Sequence, residues 1–266
     1  MEIKIQAFES LDSTNNYLKK LASGGAAEGT VVIADEQTAG RGRMGRSFAS
    51  APGCGIYMSM LLRPEGCTAD CAPGLTAVAA VAALGWSEGR GALAAVAVCR
   101  AIEKVCGRAP GIKWINDLYL RGKKICGILC ESSVKDGRVN YAVLGIGLNV
   151  TTRAEEFPEE LREIAASIRM ECGKPVDRCA LAAALLLEFE RMDRALLTEK
   201  DAWLREFAEN CVTVGKDVRV LRGGKERLAH ADGIGPDAAL LVTYADGTQE
   251  AVSSGEVSVR GMYGYL

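Results

Sequence analysis

Histidine is almost missing from this chain: His230 is the only one in 266 residues. It stands among turn residues in a C-terminal stretch of β-type runs, so a His-based triad, a His metal cluster or a histidine general base has little to stand on. No Gly-x-Ser-x-Gly elbow and no Gly-x4-Gly-Lys-Ser/Thr loop occurs, which sets aside serine-hydrolase and P-loop chemistry. The ten cysteines include no Cys-x-x-Cys pair, the closest spacings being Cys67 with Cys71 and Cys126 with Cys130. A zinc or thioredoxin-like site is therefore not indicated. The N-terminus, Met1-Glu2-Ile3-Lys4-Ile5-Gln6, lacks the basic start and apolar core of a secretory signal, and the reducing cytoplasm is expected. The longest apolar run, Leu75 to Trp86, falls short of the roughly 20 residues that cross a bilayer. Excess charge of either sign is also lacking, with 32 Lys+Arg against 34 Asp+Glu. Broad, sequence-blind attraction to nucleic acid or an anionic membrane is disfavoured, so any phosphate binding must be local.

What is present is enough apolar material for a real core, 48% of residues, which excludes a disordered chain. The length suits one large domain with a small appendix. A polar start, Ser10 to Asn16, precedes Tyr17, Leu18 and Leu21 at helical spacing, with Asp12 or Ser13 as N-cap. Strands are expected over Thr30–Ala34, Ile56–Leu62, Gly111–Asn116, Leu118–Leu120, Lys124–Ser132 and Asn140–Leu148, the close-set ones forming hairpins in a mixed sheet. The alanine-rich stretch from Leu75 to Val105 reads as helix, broken over Gly85–Gly91, and residues 77–82 nearly recur as 92–97. Helical spacing returns from Asp177 to Asn210, where Asp201 is expected to cap a second helix. From Val212 onward, runs at 218–220, 239–242, 250–252 and 257–259 are separated by Gly223-Gly224, Asp232-Gly233 and Asp246-Gly247. That pattern describes a small β-barrel of about 55 residues, and two domains are expected, 1–211 and 212–266.

The densest chemical signal is Gly40-Arg41-Gly42-Arg43-Met44-Gly45-Arg46, directly after an expected strand. Glycines let backbone N–H groups converge on an anion, and arginines supply forked donors for carboxylate and phosphate oxygens. The segment satisfies Gly-x-Gly-x-x-Gly, but nothing after it looks like the helix that a dinucleotide fingerprint requires. The second signal runs from Lys113 to Glu131. Lys113 leads into Asn116-Asp117, and a turn at Arg121-Gly122 brings Lys123 and Lys124 back alongside. Because side chains alternate on a strand, only one of those two lysines can face the same ligand as Lys113. Amines beside an Asn/Asp pair suit a metal–nucleotide, since lysines neutralise phosphate and hard oxygens suit Mg²⁺.

With these motifs in order, the chain resembles the biotin–protein ligases. The likeness rests on Ser13-Thr14-Asn15, the Gln37 to Arg46 segment, the Lys113 to Glu131 block, Gly145-Ile146-Gly147-Leu148-Asn149 and the segment Ser253 to Arg260. It implies an α+β fold: a mixed β-sheet with flanking helices, like a class II aminoacyl-tRNA synthetase catalytic domain, plus a small C-terminal SH3-like β-barrel. It implies activation of biotin by MgATP as biotinyl-5′-AMP, then transfer to a lysine of a biotin carboxyl carrier protein domain. Ser13, Thr14, Asn15 and Gln37 would line the biotin end; Gly40, Arg41, Gly42 and Arg43 would close over the carboxyl and phosphate groups. Lys124 would bridge the carboxylate and α-phosphate, with Arg43 the other catalytic residue, and Gly127 would admit the ligand close to backbone. Lys113, Asn116, Asp117, Asn149 and Arg260 would serve the nucleotide. Mg²⁺ would come with the ATP phosphates, and no protein ligand to it is identified. The sequence departs from the family at Ile115, where proline is common, a position expected to point away from ligand. It begins directly at the catalytic domain, so no DNA partner is expected; a second copy of the chain is a candidate partner. A lipoate–protein ligase shares the fold and adenylation logic but not the Gly-Arg-Gly-Arg-x-Gly-Arg loop. A non-catalytic nucleotide- or RNA-binding module is disfavoured by the balanced charge.

Overall fold

A computed structural model describes residues 2–63, 90–135, 138–195, 198–236, 238–253 and 257–261 of the chain. A seven-stranded sheet is formed by β1 (Lys4–Leu11), β2 (Thr30–Gln37), β3 (Gly55–Leu62), β4 (Gly111–Lys113), β5 (Asp117–Leu120), β6 (Lys123–Lys135) and β7 (Arg138–Asn149). The order across the sheet is β1-β2-β3-β7-β6-β5-β4, with β1 and β2 parallel and every other neighbouring pair antiparallel. The sheet is mixed, as expected. β1 has no counterpart among the expected strands; it is an edge strand whose residues are mostly exposed, and the short alternation Ile3-Lys4-Ile5-Gln6-Ala7 that precedes Phe8 was its one sign in the sequence.

Both faces of the sheet are covered. α1 (Thr14–Ser23) lies on one side, where Leu18 and Ala22 pack with Val32, Leu61, Tyr141 and Val143. Ser13 is its N-cap, the hydroxyl accepting from the amide of Asn16. The other side carries the main core, in which Met58, Met60 and Leu62 of β3 meet α2 (Arg90–Cys106), α3 (Ile168–Cys172), α4 (Arg178–Ala195) and α5 (Lys200–Glu209). β3 is consequently buried at all its positions, which is why it reads as a continuous apolar run. The first copy of the near-repeat, 77–82, and residues 85–89 of the expected helix break lie outside the described residues; the last two residues of that break, Arg90 and Gly91, instead open α2, and the second copy is its buried heart. Asp201 is not a cap: it sits in the first turn of α5 behind Glu199, where a negative charge still complements the helix dipole. The capping carboxylate in this region is Asp177, which accepts from the amides of Cys179 and Ala180 at the start of α4.

The C-terminal sheet has five antiparallel strands, β8 (Asp217–Arg222), β9 (Lys225–Ile234), β10 (Leu240–Tyr244), β11 (Gln249–Val252) and β12 (Val257–Gly261), ordered β11-β10-β9-β8-β12. Two turns fall where expected, at Gly223-Gly224 and Asp246-Gly247. Asp232-Gly233 instead lies inside β9, which was not among the expected strands. There the register slips against Leu241 and Val242, and the bulge accommodates the pair while Asp232 accepts from Thr243 Oγ1 at 2.7 Å. β9 turns only small side chains inward, Ala229 and Ala231, so it lacks the apolar alternation of a half-buried strand. The small sheet is tied to the large one through β4: the Val212 amide donates to Ile112 O at 2.9 Å, the Trp114 amide to Thr213 Oγ1 at 2.9 Å, and Trp114 Nε1 to Ala238 O at 2.9 Å.

Candidate active site

β4, β5 and β6 bring their polar residues to one face by register. Lys113 pairs with Asp117, Asp117 with Gly127, and Tyr119 with Lys124. Lys124 and Gly127 are three residues apart, and strict alternation would put them on opposite faces. A slip in the β5–β6 ladder between Leu118 and Tyr119 inserts the extra residue, and both then face the same side. Lys124 Nζ reaches Asp117 Oδ1 at 2.7 Å, and Lys113 Nζ lies 5.6 Å from the centre of the Tyr119 ring. Lys123 takes the opposite direction and donates to Arg162 O. One lysine of the pair faces inward, as alternation required. Ile115 is buried in the main core and is not part of the cavity wall.

The strands wall a cavity of about 140 Å³ together with the N-terminal end of α1 and the arginine loop. Ser13, Thr14, Asn15, Gln37, Arg41, Gly42, Arg43, Lys113, Asn116, Asp117, Lys124 and Gly127 all contribute to it. Among the described residues, Arg41, Arg43, Arg46, Lys113 and Lys124 give the wall five cationic side chains, whereas Asp117 is its only carboxylate. That imbalance, in a chain whose total charge is near zero, makes the cavity a receptor for anions. Arg43 Nη1 donates to Asn116 Oδ1 at 3.0 Å. Burial lowers its pKa from the ordinary value against the opposing pull of Asp117, but a guanidinium stays charged in any protein setting.

The far end of the cavity is polar and interlocked. Gln37 Oε1 accepts from the Thr14 amide and Thr14 Oγ1, while Gln37 Nε2 donates to Ser50 Oγ. Ser59, fully buried on β3, reaches Thr14 Oγ1 at 2.7 Å and Asn15 Oδ1 at 2.5 Å. The other end of the Asn15 amide donates to Glu131 Oε2 at 2.9 Å. Over the floor runs a lane without side chains, where Gly127 and Gly147 are cross-strand partners. A Cβ on Gly147 would come within 2.6 Å of the Phe48 ring, and one on Gly145 within 2.1 Å of Asn15 Oδ1. Phe48 belongs to the arginine loop and meets Tyr57 edge-on at 6.5 Å. The loop has its own turn, since the Gly42 amide donates to Arg46 O and the Phe48 amide to Gly40 O.

Three sequence candidates are placed elsewhere. Gly40 is not on the wall; a Cβ there would strike Phe48 O at 2.4 Å, so its part is to let the loop's two limbs meet. Asn149 is buried and donates to Ala166 O, tying down the segment that pairs with the backbone of Lys124. Arg260 lies on β12 opposite Arg219, and its side chain is outside the described residues. Sequence reasoning passed over Ser59, Phe48, Glu131, Gly145 and Gly147 as site residues. The glycines at i, i+2 in an otherwise Val/Ile/Leu strand were a readable sign of close approach, but Ser59 carried no signal.

A mixed sheet with a cation-ringed cavity under a glycine–arginine loop defines a class of protein that gathers anionic small molecules and positions them for reaction. Residues 7–149 match the model of the "Biotin/lipoate A/B protein ligase family", and residues 213–260 that of the "Biotin protein ligase C terminal domain". The chain belongs to this ligase family. The "Bifunctional ligase/repressor BirA" of Bacillus subtilis is 35% identical over 92% of this chain and 70% of its own length. The "Biotin--[acetyl-CoA-carboxylase] ligase" of Mycobacterium tuberculosis is 33% identical over 92% of this chain and 85% of its own length. The structure of a biotin protein ligase from Aquifex aeolicus in complex with biotin and ATP superposes with a TM-score of 0.76 at 26% identity, covering 97% of this chain and 99% of that one.

Proposed function

We propose that this chain joins biotin to a lysine of a biotin carboxyl carrier protein domain in two steps. A carboxylate oxygen of biotin attacks the α-phosphorus of ATP, a new P–O bond forms, and pyrophosphate leaves. The lysine ε-amine then attacks the acyl carbon of biotinyl-5′-AMP, the amide forms, AMP leaves and the amine gives up its proton. The observation that carries this reading is the ring of five cations about a cavity with, among the described residues, a single carboxylate on its wall. Two anions repel as they approach, and fixed cations lower that cost most where negative charge accumulates in the transition state. The biotin branch is favoured over lipoate by the match of residues 213–260 to the biotin ligase C-terminal model and by the names of the curated relatives.

In this reading Lys124 and Arg43 face the carboxylate and α-phosphate, and Arg41 and Gly42 close from above. Thr14, Ser13 and Gln37 hold the uncharged end of biotin, Gly127 gives it room, and Lys113, Asn116 and Arg260 serve the nucleotide. Asn149 acts through the segment it ties beside Lys124. Asp117 keeps the Lys124 amine in place until a ligand arrives. Among the described residues no group of three or more His, Cys, Asp or Glu side chains could hold a metal ion. Asp117 and Asn116, neighbours on the wall beside Lys124 and Arg43, are the hard-oxygen side chains that would face Mg²⁺ arriving with the ATP phosphates, an ion that keeps much of its water. When bound, the ion supplies charge neutralisation to those phosphates. The reading also places the domain division at 211/212 and the enzyme in the cytoplasm, in keeping with eight described cysteines that are free thiols.

Exchange of labelled pyrophosphate into ATP tests the first step directly. Exchange that depends on biotin is expected; exchange that depends on lipoate, or no exchange with either acid, would overturn the assignment.

A further inference from the structure

Glu131 is absent from the cavity wall, yet it touches the two parts of the site that must act together. Its Oε2 accepts from Asn15 Nδ2 at 2.9 Å. Its Oε1 receives Lys19 Nζ at 2.6 Å and faces Arg41 Nη2 at 3.4 Å. Arg41 is the first arginine of the loop and also donates to Asn16 Oδ1 at 2.8 Å, so the loop is pinned to β6 and α1 at one point.

The connection continues inward without a break. Asn15 spends its amide nitrogen on Glu131 and its oxygen on Ser59. Ser59 bonds Thr14 Oγ1, Thr14 bonds Gln37, and Gln37 Nε2 bonds Ser50 Oγ. Ser50 belongs to the same loop as Arg41, and its hydroxyl donates to Phe48 O at 3.1 Å. The polar chain thus starts on the loop, passes beneath the buried end of the cavity and returns to the loop. Every side chain in it has its geometry set by a neighbour, which leaves few ways to move one member alone. The side-chain amide of Asn15, with both ends engaged inside the protein, orients the site from within.

We propose that Glu131 is a positioning residue that couples the buried polar end of the cavity to the arginine loop above it, with Ser59 as the hinge of that coupling. The proposal rests on the reading of the cavity as the biotin site, but only for its kinetic consequence. A ligand that settles against Thr14 and Gln37 stiffens the chain, and Arg41 is then held over the ligand. A broken chain lets the loop open while the ligand is bound, and the activated acid escapes.

Hydrogen exchange on the full-length, ligand-free protein tests the coupling without any assumption about substrate. Glu131→Gln keeps an oxygen for Asn15 but removes the charge that holds Arg41. It is expected to speed exchange of the Gly42 and Phe48 amides by about fivefold, the factor that goes with one surface-type ion pair, with the β3–β7 amides unchanged. Ser59→Ala, which leaves Glu131 and Arg41 intact, is expected to speed the same loop amides. Unchanged loop exchange in either variant would overturn the coupling. In the exchange assay Glu131→Gln is expected to raise the KM for biotin about fivefold while kcat changes far less, whereas Lys19→Met, which does not touch the loop, shifts it less. Equal loss in kcat and in kcat/KM would also overturn the proposal. A wild-type protein inactive with biotin would refute the functional reading and leave the loop measurement standing.

Discussion

Lys124 Nζ stands 2.7 Å from Asp117 Oδ1, an amine and a carboxylate facing each other across the β5–β6 ladder on the cavity wall. Asp117 is the only carboxylate there among the described residues, so under the proposed function an incoming anion competes with it for the amine.

Lys124→Ala should therefore cut biotin-dependent pyrophosphate exchange by about 10²–10³-fold, the loss found when one fixed electrostatic donor to a transition state is removed. The thermal melt should barely move, because the lysine side chain is 30% exposed and its backbone bonds persist. Exchange at the wild-type rate would remove Lys124 from the chemistry.

The glycine lane gives a second expectation. Gly145→Ala must push a methyl group into Asn15 Oδ1, 2.1 Å away, and Gly147→Ala must push one into the Phe48 ring, 2.6 Å away. Overpacking of this kind costs about 1–3 kcal/mol, read as a lower melting temperature. The two should differ in kinetics: Phe48 can swing out with the loop, so Gly147→Ala loses more biotin affinity than stability, whereas Asn15 is locked between Ser59 and Glu131. Equal stability losses with unchanged KM would contradict the roles given to both glycines.

Away from the site, Arg100 Nε donates to both carboxylate oxygens of Glu206 at 3.0 and 3.1 Å, and its guanidinium carbon lies 3.9 Å from the centre of the Trp203 ring. This joins α2 to α5. Arg100→Ala should destabilise the protein by on the order of 1.5 kcal/mol, the low end for charge-assisted hydrogen bonds, since a third of the side chain is exposed. Denaturant melts measure it, and the exchange kinetics should not change.

The pH dependence follows from Glu131. Burial alone would raise its pKa, but hydrogen bonds from Lys19 and Asn15 and the charges of Lys19 and Arg41 outweigh it and hold the carboxyl below its ordinary range. A lowered folded-state value means that the stabilisation is fully present above the unfolded value of about 4.3 and is lost as the pH falls through the folded one. The stability difference between wild type and Glu131→Gln should be constant from pH 7 down to about 5 and shrink below about 4. A difference that stayed constant on acidification would show that the charge does not hold this network.

Much of the site was legible in the sequence because it is carried by short contiguous motifs. Asp12 or Ser13 reads as a cap because a short polar side chain before a helical apolar pattern satisfies an orphan amide, and Ser13 is the one that does so. The loop reads as an anion cradle because glycines and arginines alternate there, and its arginines reach the cavity. Alternation correctly required that only one of Lys123 and Lys124 face inward. It could not say which, nor that Gly127 would face the same way, because that depends on the slip in the ladder. β9 and the inner position of Asp232-Gly233 went unread where small inward residues leave no hydrophobic period, and β1 because its alternation, Ile3-Lys4-Ile5-Gln6-Ala7, is short and largely exposed at the edge of the sheet.

The sequence by itself determined which residues have the chemistry: a string of arginines among glycines, two lysines near an Asn-Asp pair, and almost no histidine. Local patterns of this kind depend only on neighbours along the chain, and they survive in any fold. The tertiary structure alone decided that a bulge turns Lys124 and Gly127 to one side, that Ser59 from the middle of an apolar strand holds Asn15, and that Glu131 ties the loop to the floor. Those relationships join positions up to 116 residues apart, and they arise from pairing register and packing, which no stretch of sequence contains within itself.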